Sequence, residues 1–433
     1  MTPRPDPLAA ALEAAAEELA RRRVRSEVFV RAGENAQVVH THDGARERRE
    51  SRELGVACRV SGRGRAGFAA AAGSASRAGR HAALTALAAM RAAPDPLPPR
   101  EILGSSGSAL AHAAAPPEAR EHFASAVVAA CGASAGVRLL QLRLLTGTST
   151  SALATGDGFL ARATAGGAVV ELLLAPPEGP WRHLHFAAPA LADLVPETLA
   201  RRAVEASLLA TRGGAPPRQL ADVLLAPAVA APLVVALAQH LAREASGGDS
   251  LARARVAPAW QLVDERPGPA GLLPLPWDGE GVATRRIVLV AGGSLGQRYA
   301  TWERARRTGE RPGGAVRPSY RHPPHTGPAN LVVLPAGAAR QEDLLARLEN
   351  GFYLALPAGS VRVDHPSGRF ALRAAAVAVS RGRAFAAHPL VDVRGSFRRL
   401  LGGLLATGGD LESFSLGCAV TVPSLLFRRL EIA

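Results

Sequence analysis

Apolar residues fall in short alternating runs along most of the chain, and only a few stretches carry the three-to-four-residue spacing of an amphipathic helix. Asp6-Pro7 reads as an N-cap followed by proline at the first helical position, and helical spacing continues to about Arg23. The segments SEVFVRA, AQVVHTH, ARERRESREL, GVACRVSG and AGFAAA follow. Gly33-Glu34-Asn35, Asp43-Gly44 and Gly62-Arg63-Gly64 separate them as turns, which predicts an antiparallel meander. A second helix, about Arg77 to Ala92, closes the unit, and PDPLPPR (Pro94 to Arg100) is a linker by composition.

The middle section opens with a loop rich in Gly, Ser and Ala, Gly104 to Ala115, and a helix from about Glu118 to Ala130. VRLLQLRLLT, FLARATA and AVVELLLA read as strands, with Asp157-Gly158 and Gly166-Gly167 as hairpin turns. A further helix spans about Pro196 to Ala210, and TRGGAPPR (Thr211 to Arg218) is a second linker. Beyond it the chain is rich in strands and in Gly and Pro turns: ADVLLAP, RRIVLVAG, ANLVVLPAG, RFALRAAAVAVSRG and SLLFRRLEIA. Helices are expected at Gln341 to Asn350 and, shorter, after Gly296. Val223 to Ala242 is uncharged and long enough to span a membrane, but Pro227 and Pro232 interrupt it, so it reads as a buried strand followed by a helix. The fold class is therefore α+β: an N-terminal helix–meander–helix domain (1–93), a middle α+β unit (100–212) and a large β-rich domain (213–433) with non-local antiparallel pairing.

Composition adjusts this picture in three ways. Of 433 residues 48% are hydrophobic but only 4% aromatic, so the core is built from Ala, Leu and Val. The formal net charge of +14 would ordinarily suggest nucleic acid. Every basic residue is Arg, however, and Ala, Gly and Pro abound, as a GC-rich genome produces; a nucleic-acid partner is not expected. The three cysteines, Cys58, Cys131 and Cys418, are far apart and form no framework, which fits a reducing, cytoplasmic compartment. Acids inside the first apolar stretch argue against a secretory leader.

The order of segments resembles the TldD/PmbA metallopeptidase family. GVACRVSGRGRAGFAA is similar to the family's GVGVRV…GRWGFA hairpin, WDGEGVATRRIVLVAGG to its DDEG-P--R---LI--G, and GGAVRPSYRHPP to its TGNARR-SYR--P. LENGFYLALPAGSVRVDHPSGRFAL, ATGGDLE and VPSLLFRRLEIA resemble further family segments in the same order. The resemblance implies a dimer of a catalytic TldD-type subunit and a TldE (PmbA)-type partner. It also implies that the catalytic type carries a helical HExxxH, whose two His hold zinc and whose Glu polarises water, with a Cys near the C-terminus as third ligand. The matching segment here is APLVVALAQHLAREA; aligning His240 with the second His puts Val235 at the first His and Ala236 at the Glu. No His in the chain begins an HExxH or HExxxH, and Cys418 sits in SLGCAVTVP without the family's CGK-GQ surroundings. The implied identity is a TldE-like, non-catalytic subunit with no metal of its own, His240 being a remnant of the lost motif. Zinc is then expected in the TldD-type partner, and the substrate would be an unfolded or leader-containing peptide. A stand-alone homodimer that binds peptide or protein is the alternative. Arg317, Ser319, Tyr320 and Arg321 are the candidate peptide-binding residues, because the resemblance places their segment toward an interior cleft; pinning a loop to the barrel is their structural alternative.

Other candidates are weaker. Ser294 in Gly292-Gly293-Ser294-Leu295-Gly296 fits GxSxG after a strand, and Ser134 in Gly132–Gly136 fits it in the wrong context. His183/His185 and His40/His42 alternate as strand pairs, His322 and His325 flank two prolines, and Asp278 and Glu280 belong to a turn where acids cap backbone N–H groups.

Overall fold

The computed structural model describes residues 6–104, 107–109, 115–133, 136–209, 211–244, 251, 253–267 and 276–433. Helix α1 (Pro7–Ala20) starts as expected: the Asp6 carboxylate accepts the Leu8 N–H at 3.0 Å and Pro7 opens the first turn. Its face of Leu8, Ala11, Ala15 and Leu19 packs on α2 (Ala75–Ala88) and on Val28, Val30, Val56, Cys58 and Val60 of the sheet beneath. Gly79 lets the two helices touch, because a Cβ there would overlap the Ala11 carbonyl.

The meander has fewer and longer strands than the turn residues suggest. Arg25–Thr41 and Arg46–Gly62 are each one strand of 17 residues, and Arg65–Ala72 completes the hairpins. Gly33-Glu34-Asn35 is no turn: Gly33 pairs with Glu53 on one side and Ser149 on the other. Ladders on both edges hold it extended, and tertiary pairing overrides local turn preference. For the same reason Gly166-Gly167 runs straight through Leu160–Ala175, with Gly167 opposite Gly147. The turns at Asp43-Gly44 and Asp157-Gly158 stand, with φ of +84° and +88° at the glycines.

Arg25–Thr41 also pairs along its length with Arg138–Thr155, which pairs with Leu160–Ala175 and through it with Arg182–Ala188. Residues 1–93 and 100–212 thus feed one eight-stranded sheet. Helices α3 (Pro117–Gly132) and α4 (Pro196–Leu208) cover its second half, burying Phe123, Val127, Leu142, Leu172, Leu199 and Val204 together.

In the C-terminal part, Gln219–Leu225, Asn350–Pro357, Arg369–Ser380, Arg383–Ser396 and Leu425–Ile432 pair in a ring that closes on itself, a five-stranded barrel. A six-stranded sheet stands beside it, built on Gln261–Glu265, Arg286–Ala291, Asn330–Val333 and Ala419–Val422. Pairing is non-local as anticipated, but not wholly antiparallel: Gln219–Leu225 runs parallel to Asn350–Pro357, and Asn330–Val333 parallel to Ala419–Val422. These strands are nearly continuous apolar runs, the composition parallel pairs favour. Helix α5 (Pro227–Glu244) follows the first barrel strand, as the uncharged run predicts. It is the centre of the largest core, with Val229, Leu233, Val234 and Leu237 against Leu262, Leu289, Leu354 and Phe427. Helices α6 (Trp302–Thr308) and α7 (Gln341–Ala346) match two expected positions, the second ending earlier; α8 (Phe397–Gly403) is additional. Among the described residues, no helix is long and apolar enough to cross a membrane.

Gly79→Ala should force α1 and α2 apart. The expected cost is about 1–3 kcal/mol, with a matching fall in the midpoint of urea unfolding and little change in far-ultraviolet circular dichroism.

Candidate functional site

A cleft of about 860 Å³ opens between the sheet of the first half and the C-terminal part. His183, Leu184, His185 and Phe186 form one wall. Four consecutive residues of a strand can border one space only if the strand's edge faces it, since side chains alternate between faces. Arg182–Ala188 is the outer strand at that end of the sheet. Arg202, Glu205, Ala206 and Leu209, on and just after α4, extend this wall.

The opposite wall is α5. Ala228, Pro232, Val235, Ala236 and Gln239 line the cleft, spaced three or four residues apart on one helix face. Phe414 and Leu416, with Tyr353, Leu356 and Val361, complete it. Val235 and Ala236, the two positions matched to the first His and the Glu of an HExxxH in the sequence analysis, line the cleft with aliphatic side chains. His240 does not line the cleft. It is buried one residue round the helix, its ring stacked on His365 (centroids 5.7 Å) and tilted against Phe397 (5.0 Å), with its Nδ1 3.5 Å from that of His365. Cys418 is half-buried, and burial pushes its thiol up to about 12, so it is protonated at neutral pH. Among the described residues, no three His, Cys, Asp or Glu side chains gather as a metal site.

The four residues put forward for peptide binding lie elsewhere, where the C-terminal part meets the first sheet. Arg317 donates to Glu27 Oε1 at 2.6 Å and lies over the Phe29 ring at 4.6 Å. Arg59 joins Glu27, at 3.0 Å from its Nε, to Glu280, at 3.1 Å from its Nη1. Tyr320 donates its hydroxyl to Glu53 at 2.7 Å and fills the space above Gly55, where any Cβ would overlap its ring. Arg321 donates to the same Glu53 oxygen at 2.7 Å, and its N–H donates to Ser319 Oγ at 3.1 Å. The segment therefore pins a loop, onto the first sheet rather than the barrel, and none of the four residues lines the cleft.

Electrostatics bind this seam. Burial pushes the Glu27 carboxyl up, but Arg317 and Arg59 outweigh it and the net shift is downward, so Glu27 stays ionised. Burial dominates at Glu280 and lifts it to about 7, against the pull of Arg59. Asp278 caps its turn as expected, accepting from the N–H groups of Glu280 (2.8 Å), Val282 (3.0 Å) and Ala315 (3.1 Å).

The remaining candidates separate. Ser294 is exposed and donates to the Ala291 carbonyl at 3.2 Å, a turn contact. Ser134 lies outside the described residues. His40 sits 3.5 Å from Glu121, while His42, His322 and His325 are exposed. Of the histidine pairs, His183 and His185 reach the cleft; nothing near Tyr353, Arg202, Glu412 or Phe414 in the chain marks those residues as lining it.

A closed barrel packed on a central helix, with a cleft between that helix and a sheet edge, is a distinctive α+β architecture. Residues 218–433 match the model of the PmbA/TldA metallopeptidase C-terminal domain. A candidate modulator of a DNA gyrase from Thermotoga maritima superposes with a TM-score of 0.79 at 17% identity, covering 98% of this chain and 100% of that one. A candidate modulator of DNA gyrase from Bacteroides thetaiotaomicron gives 0.78 at 16% identity, covering 99% and 98%. TldE from Thermococcus kodakarensis gives 0.77 at 16% identity, covering 99% and 100%. At these identities the likeness is one of fold, and it extends over both halves. A search of curated proteins gives no match.

Two outcomes are expected at the seam. Glu27→Ala leaves Arg59 and Arg317 short of their shared carboxylate and should cost about 3–5 kcal/mol in equilibrium unfolding. Glu280 holds its proton to about pH 7 when folded but releases it near its ordinary value of 4.5 when unfolded. Its contribution to stability therefore falls as pH rises through that window, by up to about 1.4 kcal/mol per pH unit, and is level above it. Glu280→Gln should remove that slope from unfolding curves taken between pH 5 and 8.

Proposed function

We propose that this chain is the non-catalytic, TldE/PmbA-like subunit of a heterodimeric TldD/TldE-type peptidase. Its role would be to hold an unfolded or leader-containing peptide for a TldD-type partner that carries HExxxH and the zinc. The observation that carries this reading is the face α5 turns to the cleft: Ala228, Pro232, Val235, Ala236 and Gln239. Water activation by zinc requires about three protein ligands and a nearby carboxylate, and this face supplies neither. The cleft itself suits a peptide. Its volume falls in the range of ordinary ligand sites. One border is Arg182–Ala188, the outer strand of a sheet. The family of residues 218–433 agrees with a role in proteolysis, and three cysteines without a disulfide agree with a cytoplasmic setting.

Arg317, Ser319, Tyr320 and Arg321 take a different place in this reading. Through Glu27 and Glu53 they fix the C-terminal part to the first sheet, and so hold the two walls at a set spacing. Any contact of theirs with peptide would come from the exposed Arg321.

The test is co-expression with an HExxxH protein encoded nearby, followed by affinity purification of this chain. The two should co-purify, the complex should cleave an unfolded peptide, and zinc should be found only with the partner by elemental analysis. The isolated chain should contain far less than one zinc per molecule and hydrolyse nothing. Zinc-dependent hydrolysis by the lone chain would overturn the assignment.

A further inference from the structure

We infer that the cleft favours a peptide segment with a basic side chain beside aliphatic ones, the basic group meeting Glu205 on α4 and the aliphatic ones the face of α5. The inference rests on the reading of the cleft as a peptide site and adds which side chains it takes.

The first argument is charge. Arg202, Glu205 and Glu412 are the formally charged residues of the lining, two carboxylates against one guanidinium. Arg202 is taken: it pairs with Glu412 at 2.5 Å and lies over the Phe186 ring at 5.8 Å. Glu205 is left as the available carboxylate. Its neighbour Arg201 stands 3.8 Å away, outside the lining, and both side chains are 64% exposed. An exposed pair of this kind is weak, and weaker still with the cation on the N-terminal side of the acid. The lining thus holds one negative charge in excess, within a chain whose formal net charge is +14. The chain as a whole repels cations, so a preference for a basic ligand has to arise from this local excess.

The second argument is placement. Arg202, Glu205, Ala206 and Leu209 all line the cleft, at the three- and four-residue spacing of a single helix face. Leu199, Ala200, Ala203 and Val204 occupy the other side of α4 and are buried in the core. The Glu205 carboxylate therefore belongs to the wall of the cleft and not to the back of the helix.

The third argument is the opposite wall. Val235 and Ala236 of α5, with Leu356 and Phe414, offer apolar surface on which side chains of Val or Leu size gain by leaving water. An acidic ligand residue meets Glu205 and Glu412 as like charges. A neutral polar residue gains neither contact. A basic residue flanked by aliphatic ones uses both walls.

Isothermal titration calorimetry with the full-length chain at pH 8 and low salt tests this, using end-capped heptapeptides Val-Ser-Val-X-Val-Ser-Val in which X is Arg, Gln or Glu. The Arg peptide should bind about fivefold more tightly than the Gln peptide, the upper range of an exposed ion pair, and the Glu peptide less tightly than both. Glu205→Gln should bring the Arg peptide to the level of the Gln peptide, and Glu205→Arg should place the Glu peptide above the Arg peptide. Glu205 is exposed on its helix, so both variants should keep the fold. Glu197→Gln, the same change of charge on α4 outside the lining, should leave the ranking as it is. Equal binding of the three peptides, an Arg preference that persists in Glu205→Gln, or an equal loss of it in Glu197→Gln would overturn the inference while the peptide reading stands. No binding of any of the three would remove the reading of the cleft as a peptide site and the inference with it. Failure to assemble with an HExxxH subunit would instead remove the subunit reading and leave the peptide ranking standing.

Discussion

Helix α5 constrains everything around it. A helix enclosed on nearly all sides must be apolar on nearly all sides, and Val229, Ala230, Ala231, Leu237 and Ala238 have no exposed surface. Its alanines let the barrel strands and the neighbouring sheet approach closely, so a core almost without aromatic residues still fills. The side that lines the cleft is Ala228, Pro232, Val235, Ala236 and Gln239, while Leu241 and Arg243 reach the surface elsewhere. The cleft side is aliphatic, and its one polar side chain, Gln239, stands at the margin. His240, the one imidazole of the helix, is spent on packing against His365 and Phe397.

The second organising element is the charged seam. Glu27, Arg59, Glu280 and Arg317 come from four separate segments and are buried together. An ion cluster of this kind is weak evidence for stability, since apolar replacements of equal shape often do as well. What it supplies is placement: the guanidinium groups of Arg59 and Arg317 meet on the Glu27 carboxylate in one arrangement of the two halves. The cleft lies between the same two halves, which also meet beside it through the Arg202–Glu412 pair and the Arg182 donation to the Pro389 carbonyl. The abundance of Arg thus gains a structural meaning in part, through a set of guanidinium–carboxylate contacts that join segments far apart in sequence.

The sequence announces helices well and strand ends poorly. Asp6-Pro7 marks α1 because the cap and the proline act within one turn, and Pro227 marks the start of α5 for the same local reason. Gly33 and Gly166-Gly167 mislead because their conformation is decided by partners more than a hundred residues away or on a neighbouring long strand. The absence of an HExxxH is legible as a bare fact of sequence, since no His is followed directly by a Glu. The cleft is not legible: its walls come from residues near 185, 205, 235, 355 and 414, and no spacing rule links them. The segment Arg317 to Arg321 shows the converse. Its charges and its tyrosine draw attention in the sequence, yet Glu27 and Glu53, which use them, lie more than 260 residues earlier.

Val235 and Ala236 suit the buried helix that carries them. A His and a Glu at these positions would need hydrogen-bond partners or a metal, whereas aliphatic side chains belong in a core. The space beside them is an apolar recess. The recess has Arg182–Ala188 on one side and α5 on the other, and what α5 contributes to it is apolar side chains and the amide of Gln239, with no carboxylate or imidazole. The stability of the helix and the chemistry of the recess are thus set by the same few positions: side chains that suit a buried helix leave the space beside it without an ionisable group from that helix.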